Sequence, residues 1–144
     1  MDPASTAVFF YGLFMDAELL RGRGVRVSGA RVARLENFRL SIGARATLIP
    51  APGRTVYGIL MWAPAEDLDR LYSDPSVSAY LPETVTVIPS TGTGVEALCY
   101  NLAPSLHEFK PNQAYAQQLQ RLAATLGLPP DYLAQIERAG QDSK

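Results

Sequence analysis

The N-terminal part of the chain alternates short apolar runs with glycine and proline turns. Residues 7–11 form an apolar run that stops at Gly12, and residues 55–62 form another that contains Gly58. Runs of this length bounded by glycine are typical of buried strands. A glycine inside a strand predicts a bulge or a close backbone approach, which we expect at Gly58. Further strand segments are predicted at residues 25–36, 38–42, 47–49, 84–88 and 95–102, with turns at 50–53 and 90–94.

Helical patterns follow the strands and then dominate the C-terminal part. Asp16 and Pro64 each precede a short run of helix formers, at residues 17–21 and 65–72. Beyond residue 111, apolar residues recur at helical spacing, and proline opens a last short helix after residue 128. Strands that precede a helical C-terminus predict an α+β fold with a mixed, barrel-like β-sheet and flanking helices. We expect one domain over residues 1–144, with its core at about 8–137 and a tail at 138–144.

Composition excludes several classes of protein. The chain has 144 residues, a length that suits one compact domain, and it contains one cysteine, Cys99, and one histidine, His107. An internal disulfide framework and a Cys/His zinc site are therefore excluded. We expect Cys99 to be a buried core thiol and His107 to be exposed in a polar loop.

Charge and hydropathy predict the location of the protein and the classes of partner that it contacts. A formal net charge of −1 gives no electrostatic footprint for nucleic acid. No segment reaches the roughly 18 apolar residues of a membrane span, and the first residues lack the basic start of a secretory signal. We therefore expect a soluble cytoplasmic protein, either monomer or homodimer, that contacts neither nucleic acid nor membrane.

Five sequence pieces, in order, resemble one known family. They are FYGLFM at 10–15, ARLENFRL at 33–40, PG at 52–53 with VYGIL at 56–60, the helix at 68–72 with Tyr80 ahead of VTV at 85–87, and the C-terminal pattern of Pro111, Tyr115, GLP at 127–129 and Tyr132. Together they resemble the γ-glutamylcyclotransferase-like family, which includes the AIG2-like proteins. The resemblance spans residues 8–137 and implies a γ-glutamylcyclotransferase-like fold.

The resemblance also implies a reaction. Members of this family are transferases that convert a γ-glutamyl amine or peptide to 5-oxoproline and release the amine. The substrate's own α-amine attacks its γ-carbonyl, so no protein nucleophile, metal or cofactor is needed. The protein has to fold the substrate, hold the developing oxyanion, and move a proton through a carboxyl group.

Substrate-binding residues follow from the same resemblance. The loop Tyr11, Gly12, Leu13 and Phe14 matches the family's loop for the γ-glutamyl group, and exposed backbone N–H groups there suit an anion. An ordinary strand-to-helix turn is the alternative interpretation of this loop. Tyr80 and Tyr115 match tyrosines near the family's pocket, although both also fit a role as core aromatics. The cluster of Arg21, Arg23 and Arg26 is predicted to lie in a solvated loop. The alternative interpretation is that its positive charge attracts an acidic substrate.

The catalytic carboxylate is where the sequence departs from the family. The family carries a Glu, followed by Gly, just after the helix that ends here near residue 72, and this chain has no Glu-Gly there. Counting from the helix leucines places Pro75 at that position, whereas counting back from Tyr80 places Asp74 there. Asp74 is therefore the first candidate acid/base, with a turn residue as its alternative. Glu83 is the second candidate.

Two functions are consistent with these observations. The first is a cofactor-free cyclotransferase acting on a γ-glutamyl amine or peptide, where an apolar loop favours a hydrophobic amine. The second is a family member that has lost the catalytic Glu and serves as a small-molecule binding or interaction module.

Overall fold

The strands of this protein close on themselves into a barrel. A computed structural model of the chain describes residues 5–107 and 110–141. Its strands are β1 (Ser5–Phe10), β2 (Ser28–Ile42), β3 (Ala46–Pro64), β4 (Leu81–Pro89) and β5 (Val95–Asn101). Around the barrel they run in the order β1-β3-β2-β4-β5. Neighbouring strands are antiparallel except at the closure, where β1 meets β5 in parallel with Val8 opposite Leu98.

The longest hairpin unites segments that the sequence predicts as separate strands. The sequence predicts separate segments at residues 25–36 and 38–42, but β2 spans Ser28–Ile42 and joins them, and β3 continues through the turn predicted at 50–53. Asn37 adopts a left-handed φ of 70°, Gly53 has a φ of 82°, and the Gly53 N–H donates to Asn37 Oδ1 at 3.0 Å. The predicted turn therefore lies within β3 as an irregularity of the ladder: pairing passes from Glu36↔Thr55 to Phe38↔Pro50, and residues 51–54 bulge opposite Asn37.

Gly58 confirms the expected close approach of backbone. A Cβ atom at this position would lie 2.3 Å from the Phe10 carbonyl oxygen and 2.8 Å from the Phe9 ring. Phe9 itself is buried in the barrel core together with Leu60 and Met61 of β3. The absence of a side chain at Gly58 thus lets β1 and β3 pack tightly, just where β1 leads into the predicted binding loop.

Within the residues that the structure describes, four α-helices flank the barrel: α1 (Ala17–Gly22), α2 (Ala65–Leu71), α3 (Gln113–Thr125) and α4 (Pro130–Gln141). Asp16 caps α1, as its position predicts, by accepting the N–H groups of Glu18 and Leu19. Helix α4 extends to Gln141, and Gly140 packs against α3, so residues 138–141 are helical and the predicted tail begins too early. The rest of that tail, 142–144, lies outside the described residues. In the described ranges, no helix is long and apolar enough to cross a membrane.

Candidate functional site

A partly open cavity of about 230 Å³ lies where β1 ends. This volume is slightly below the roughly 300 Å³ at which small-ligand sites usually begin, so a ligand of dipeptide size would fill it. The six residues predicted to bind substrate all line it: Tyr11, Gly12, Leu13, Phe14, Tyr80 and Tyr115. Residues that lie far apart in the sequence complete the wall: Phe9, Phe10, Arg23, Ala44, Arg45, Ala46, Tyr72, Ser76, Val77 and Tyr100.

The loop at residues 11–14 leaves the barrel as a single 3₁₀ turn, Leu13–Met15. Tyr11 anchors the loop because its hydroxyl donates to the Tyr100 carbonyl oxygen at 2.7 Å. The Met15 N–H closes the turn on the Gly12 oxygen at 3.0 Å. The N–H groups of Leu13 and Phe14 stand at the start of the turn and therefore have no partner within it. The loop thus presents backbone donors beside the cavity.

Tyr115, on α3, packs against this loop. A Cβ atom at Gly12 would lie 3.0 Å from the Tyr115 hydroxyl, so glycine allows the phenol to approach the backbone. Burial raises the pKa of Tyr115, and the Leu13 N–H, which points to its oxygen, offsets part of that rise. Tyr115 therefore remains a neutral phenol whose own proton is available for a ligand.

Aromatic rings form much of the cavity wall. The rings of Tyr72 and Tyr100 stack face to face, with centroids 3.8 Å apart and planes 7° from parallel. Phe14 meets the edge of Tyr72 at 5.9 Å and that of Phe10 at 6.1 Å. Burial raises the pKa of Tyr72 well above its ordinary value. A ligand in this cavity therefore contacts flat apolar surface and uncharged hydroxyl groups.

Two arginines line the same cavity. The Arg23 guanidinium lies over the Phe14 ring, 5.7 Å from its centroid. Arg45 lies in the turn between β2 and β3 and is half-buried. Burial raises the pKa of Tyr80 to about 12, and the charge of Arg45 opposes that rise. Among the lining residues that the structure describes, the charged side chains are these two arginines, and none is an aspartate or glutamate.

Asp74, the first candidate acid/base, lies outside this lining. Its side chain is exposed and accepts two hydrogen bonds from Ser76, from the backbone N–H at 2.9 Å and from the hydroxyl at 2.7 Å. These bonds lower the pKa of Asp74, and the charge of Arg23 lowers it further. Because Ser76 and Arg23 both line the cavity, the Asp74 carboxylate lies beside its rim. Its catalytic role stays a prediction.

Glu83 also lies away from the cavity. It is exposed on β4, opposite Cys99 of β5, and accepts a hydrogen bond from Asn101 Nδ2 at 3.2 Å. Cys99 is buried, as expected, and burial raises its pKa to about 12. His107 is half-buried rather than exposed, because its Nε2 lies 3.0 Å from the Leu102 carbonyl oxygen.

Tyr72 is the cavity residue that sequence reasoning missed. It is the residue directly after α2, which ends at Leu71. The resemblance places the family's catalytic Glu just after this helix, so the end of α2 was the signal that could have identified Tyr72. Arg45 and Tyr100 carried no comparable signal, because only the closure of the barrel brings them to the cavity.

The closed mixed barrel, its flanking helices and the cavity at the end of β1 define a γ-glutamylcyclotransferase-like fold, as predicted. The chain belongs to the AIG2-like family, whose sequence model matches residues 55–136. No curated protein sequence matches the chain.

Solved structures share the fold over most of the chain. An uncharacterized protein from Homo sapiens superposes with a TM-score of 0.77 at 24% identity, covering 93% of this chain and 87% of its own. A γ-glutamyl cyclotransferase superposes with a TM-score of 0.78 at 23% identity, covering 92% and 86%. YkqA from Bacillus subtilis gives a TM-score of 0.75 at 22% identity, covering 95% of this chain and 54% of its own.

Proposed function

We propose that the cavity binds the γ-glutamyl group of a small amine or peptide. One observation carries this proposal: the loop at residues 11–14, Tyr80 and Tyr115 all line a single cavity of dipeptide size. The loop supplies backbone N–H donors for a carboxylate or for a polarised carbonyl oxygen. Tyr115 adds a neutral hydroxyl that donates to no other group in the described part of the chain.

Binding without efficient turnover is the function that the geometry supports best. Cyclisation requires a group that takes a proton from the attacking ammonium and returns one to the leaving nitrogen. In residues 5–107 and 110–141, no carboxylate lines the cavity: of the two positions counted for the family's Glu, Pro75 has no carboxyl group and Asp74 lies outside the lining. A phenol whose pKa is raised by burial does not accept that proton at neutral pH.

Cyclisation with Asp74 as acid/base is the second candidate function. The interactions of Asp74 favour it, since this carboxylate accepts hydrogen bonds from Ser76 and is influenced by the charge of Arg23, and both of these residues line the cavity. To act on a bound substrate, Asp74 has to release its two hydrogen bonds to Ser76 and turn inward. A misplacement of about 1 Å costs on the order of 10²-fold in rate, so this enzyme would be slow.

Calorimetry and an assay for 5-oxoproline separate the two candidates. We expect the wild-type protein to bind γ-glutamyl amino acids and amines and to release no 5-oxoproline from them. Release that is lost in Asp74→Asn but kept in Glu83→Gln would instead establish the second candidate. Absence of binding to every γ-glutamyl compound would contradict both.

A gain-of-function variant tests whether a carboxylate at residue 72 can act on a bound substrate. We expect Tyr72→Glu to release 5-oxoproline, because it places a carboxylate directly after α2 on the cavity wall. Tyr72→Gln is the matched control, since it has the same shape without a titratable group. Equal release by both variants would contradict this assignment.

A further inference from the structure

The guanidinium of Arg45 has no partner for its charge among residues 5–107 and 110–141. Within the described residues it forms no ion pair and donates no hydrogen bond, although it is half-buried on the cavity wall. Removing a charge from water without a partner is unfavourable. Arg23 differs, because it is exposed, lies over the Phe14 ring and is near the carboxylate of Asp74. Arg45 is therefore the lining charge that a ligand would neutralise.

The backbone around Arg45 is held in place by side chains from distant parts of the chain. The Gly43 carbonyl oxygen accepts a hydrogen bond from Asn112 Nδ2 at 2.8 Å, and the Ala46 carbonyl oxygen accepts one from the Tyr80 hydroxyl. The Gly43 N–H closes the turn on the Arg45 oxygen at 3.1 Å. The turn thus presents its arginine from a fixed backbone, which is the preorganisation that a ligand-binding cation requires.

The chemistry beside Arg45 is aromatic. Phe14, Tyr72 and Tyr100 form a continuous set of ring contacts on the wall of the same cavity. A guanidinium suits a carboxylate, and flat apolar rings suit another ring. A carboxylate and a ring on one small molecule describe an aromatic amino acid.

We infer that Arg45 is a specificity-determining residue that binds a carboxylate on the part of the ligand joined to the γ-glutamyl group, while Phe14 and Tyr72 pack against an aromatic ring on that same part. The ligand class is a γ-glutamyl derivative of an aromatic amino acid. The inference rests on the proposed function, because it takes the 11–14 loop to hold the γ-glutamyl group.

Four ligands separate the contribution of the carboxylate to binding from that of the aromatic ring. γ-Glutamylphenylalanine has both the ring and the carboxylate, and γ-glutamylphenethylamine has the ring alone. γ-Glutamylglycine has the carboxylate alone, and γ-glutamylmethylamine has neither. We expect the wild-type protein to bind γ-glutamylphenylalanine about 10- to 100-fold more tightly than γ-glutamylphenethylamine, as one charge-assisted hydrogen-bonded contact allows. The glycine and methylamine ligands should both bind more weakly than their aromatic counterparts.

Substitutions assign each preference to a residue. Arg45→Gln should abolish the preference for the carboxylate, so that γ-glutamylphenylalanine and γ-glutamylphenethylamine bind with about equal affinity. Arg45→Lys should restore part of the preference, because it keeps the charge but loses the planar fork. Phe14→Leu should weaken the two aromatic ligands selectively. Arg54→Gln, an exposed position on the same hairpin, is the control and should change nothing.

Two results would contradict the inference about Arg45, and a third would contradict the proposed function. Equal affinity of the wild-type protein for all four ligands would overturn the inference and leave the proposed function standing. An equal loss for acid and amine ligands in Arg45→Gln would mean that Arg45 holds the glutamyl carboxylate, which also overturns the inference. Failure of the wild-type protein to bind any of the four would overturn the proposed function itself.

Discussion

Gly58 shows how one missing side chain shapes the site. Alanine there would bring its Cβ against the Phe10 carbonyl oxygen, which belongs to the strand that leads into the binding loop. We expect Gly58→Ala to lower the free energy of unfolding by about 3 kcal/mol, the upper end of the usual cost of overpacking. Urea unfolding followed by circular dichroism measures this change.

Gly22 provides the matched control for that substitution. It ends α1, and a Cβ atom added there meets nothing within 4 Å. Gly22→Ala should therefore stabilise the protein by about 0.5–1 kcal/mol through the helix preference alone. If both variants lost similar stability, close packing at Gly58 would not be the cause.

Asp67 is a buried carboxylate that makes stability depend on pH. It is 1% exposed and accepts hydrogen bonds from the Arg26 N–H and Nε, each at 3.0 Å, and from Arg70. Its bonds to Arg26 lower its pKa well below the ordinary value of about 4. The stabilisation is therefore present above about pH 4 and is lost as the pH falls below it.

Asp67→Asn tests this dependence. We expect the variant to melt at a lower temperature than the wild type at pH 7, with the difference narrowing as the pH falls from about 5 to 2. Melting curves at several pH values measure it, and Asp69→Asn, at an exposed position on the same helix, should shift little. A difference that stays constant with pH would exclude the carboxylate charge as the cause.

At the scale of elements, the strands were predicted better than their connections. Apolar runs located the five strands found in residues 5–107 and 110–141, because side chains that alternate between core and solvent leave a local signal. The continuity of β2 and β3 was not predictable, because Pro50 and Pro52 with Gly53 look like a turn in isolation. The hydrogen bond from the Gly53 N–H to Asn37 Oδ1 on the other strand holds this bulge in place, and a sequence pattern does not show it.

Asn112 joins two elements that build the site. Its Oδ1 caps α3 by accepting the Tyr115 N–H at 3.1 Å, and its Nδ2 donates to Gly43 in the turn that carries Arg45. We expect Asn112→Ala to lower the free energy of unfolding by about 1–2 kcal/mol, as loss of a cap does. It should also weaken binding of γ-glutamylphenylalanine.

Asn112→Asp separates the two effects. Aspartate keeps the cap acceptor but loses the donor to Gly43, so the variant should recover most of the stability and little of the affinity. Urea unfolding and calorimetry on the same preparations provide the comparison. Recovery of both quantities would show that the contact with Gly43 does not support the site.

For the whole molecule, the candidate site was only partly predictable. Tyr11, Gly12, Leu13 and Phe14 are contiguous, so a motif identifies them together. Tyr72, Tyr100 and Arg45 come from separate elements, and their meeting depends on how the barrel closes. The sequence also left open whether Asp74 or Pro75 matches the family's Glu, because a loop has no periodic pattern that would fix the alignment.

Hydrogen exchange tests the barrel and the cavity together. Amides in β1 and central β3 should exchange only through global unfolding, because both strands are buried and paired on both sides. Residues 43–45 and 73–79 should exchange faster, and γ-glutamylphenylalanine should slow exchange at 11–14 and 43–45. Protection by the ligand confined to other segments would contradict the assigned cavity.

The turn between β2 and β3 has a consequence for how such a protein diversifies. Its backbone is held through carbonyl oxygens of Gly43 and Ala46, which any sequence retains, whereas the side chains of Ala44 and Arg45 contribute nothing to the core. We therefore expect substitution at residues 44 and 45 to change the lining of the cavity at little cost to folding. The turn is therefore a position at which a protein with this barrel could change the lining of its cavity without rebuilding the scaffold.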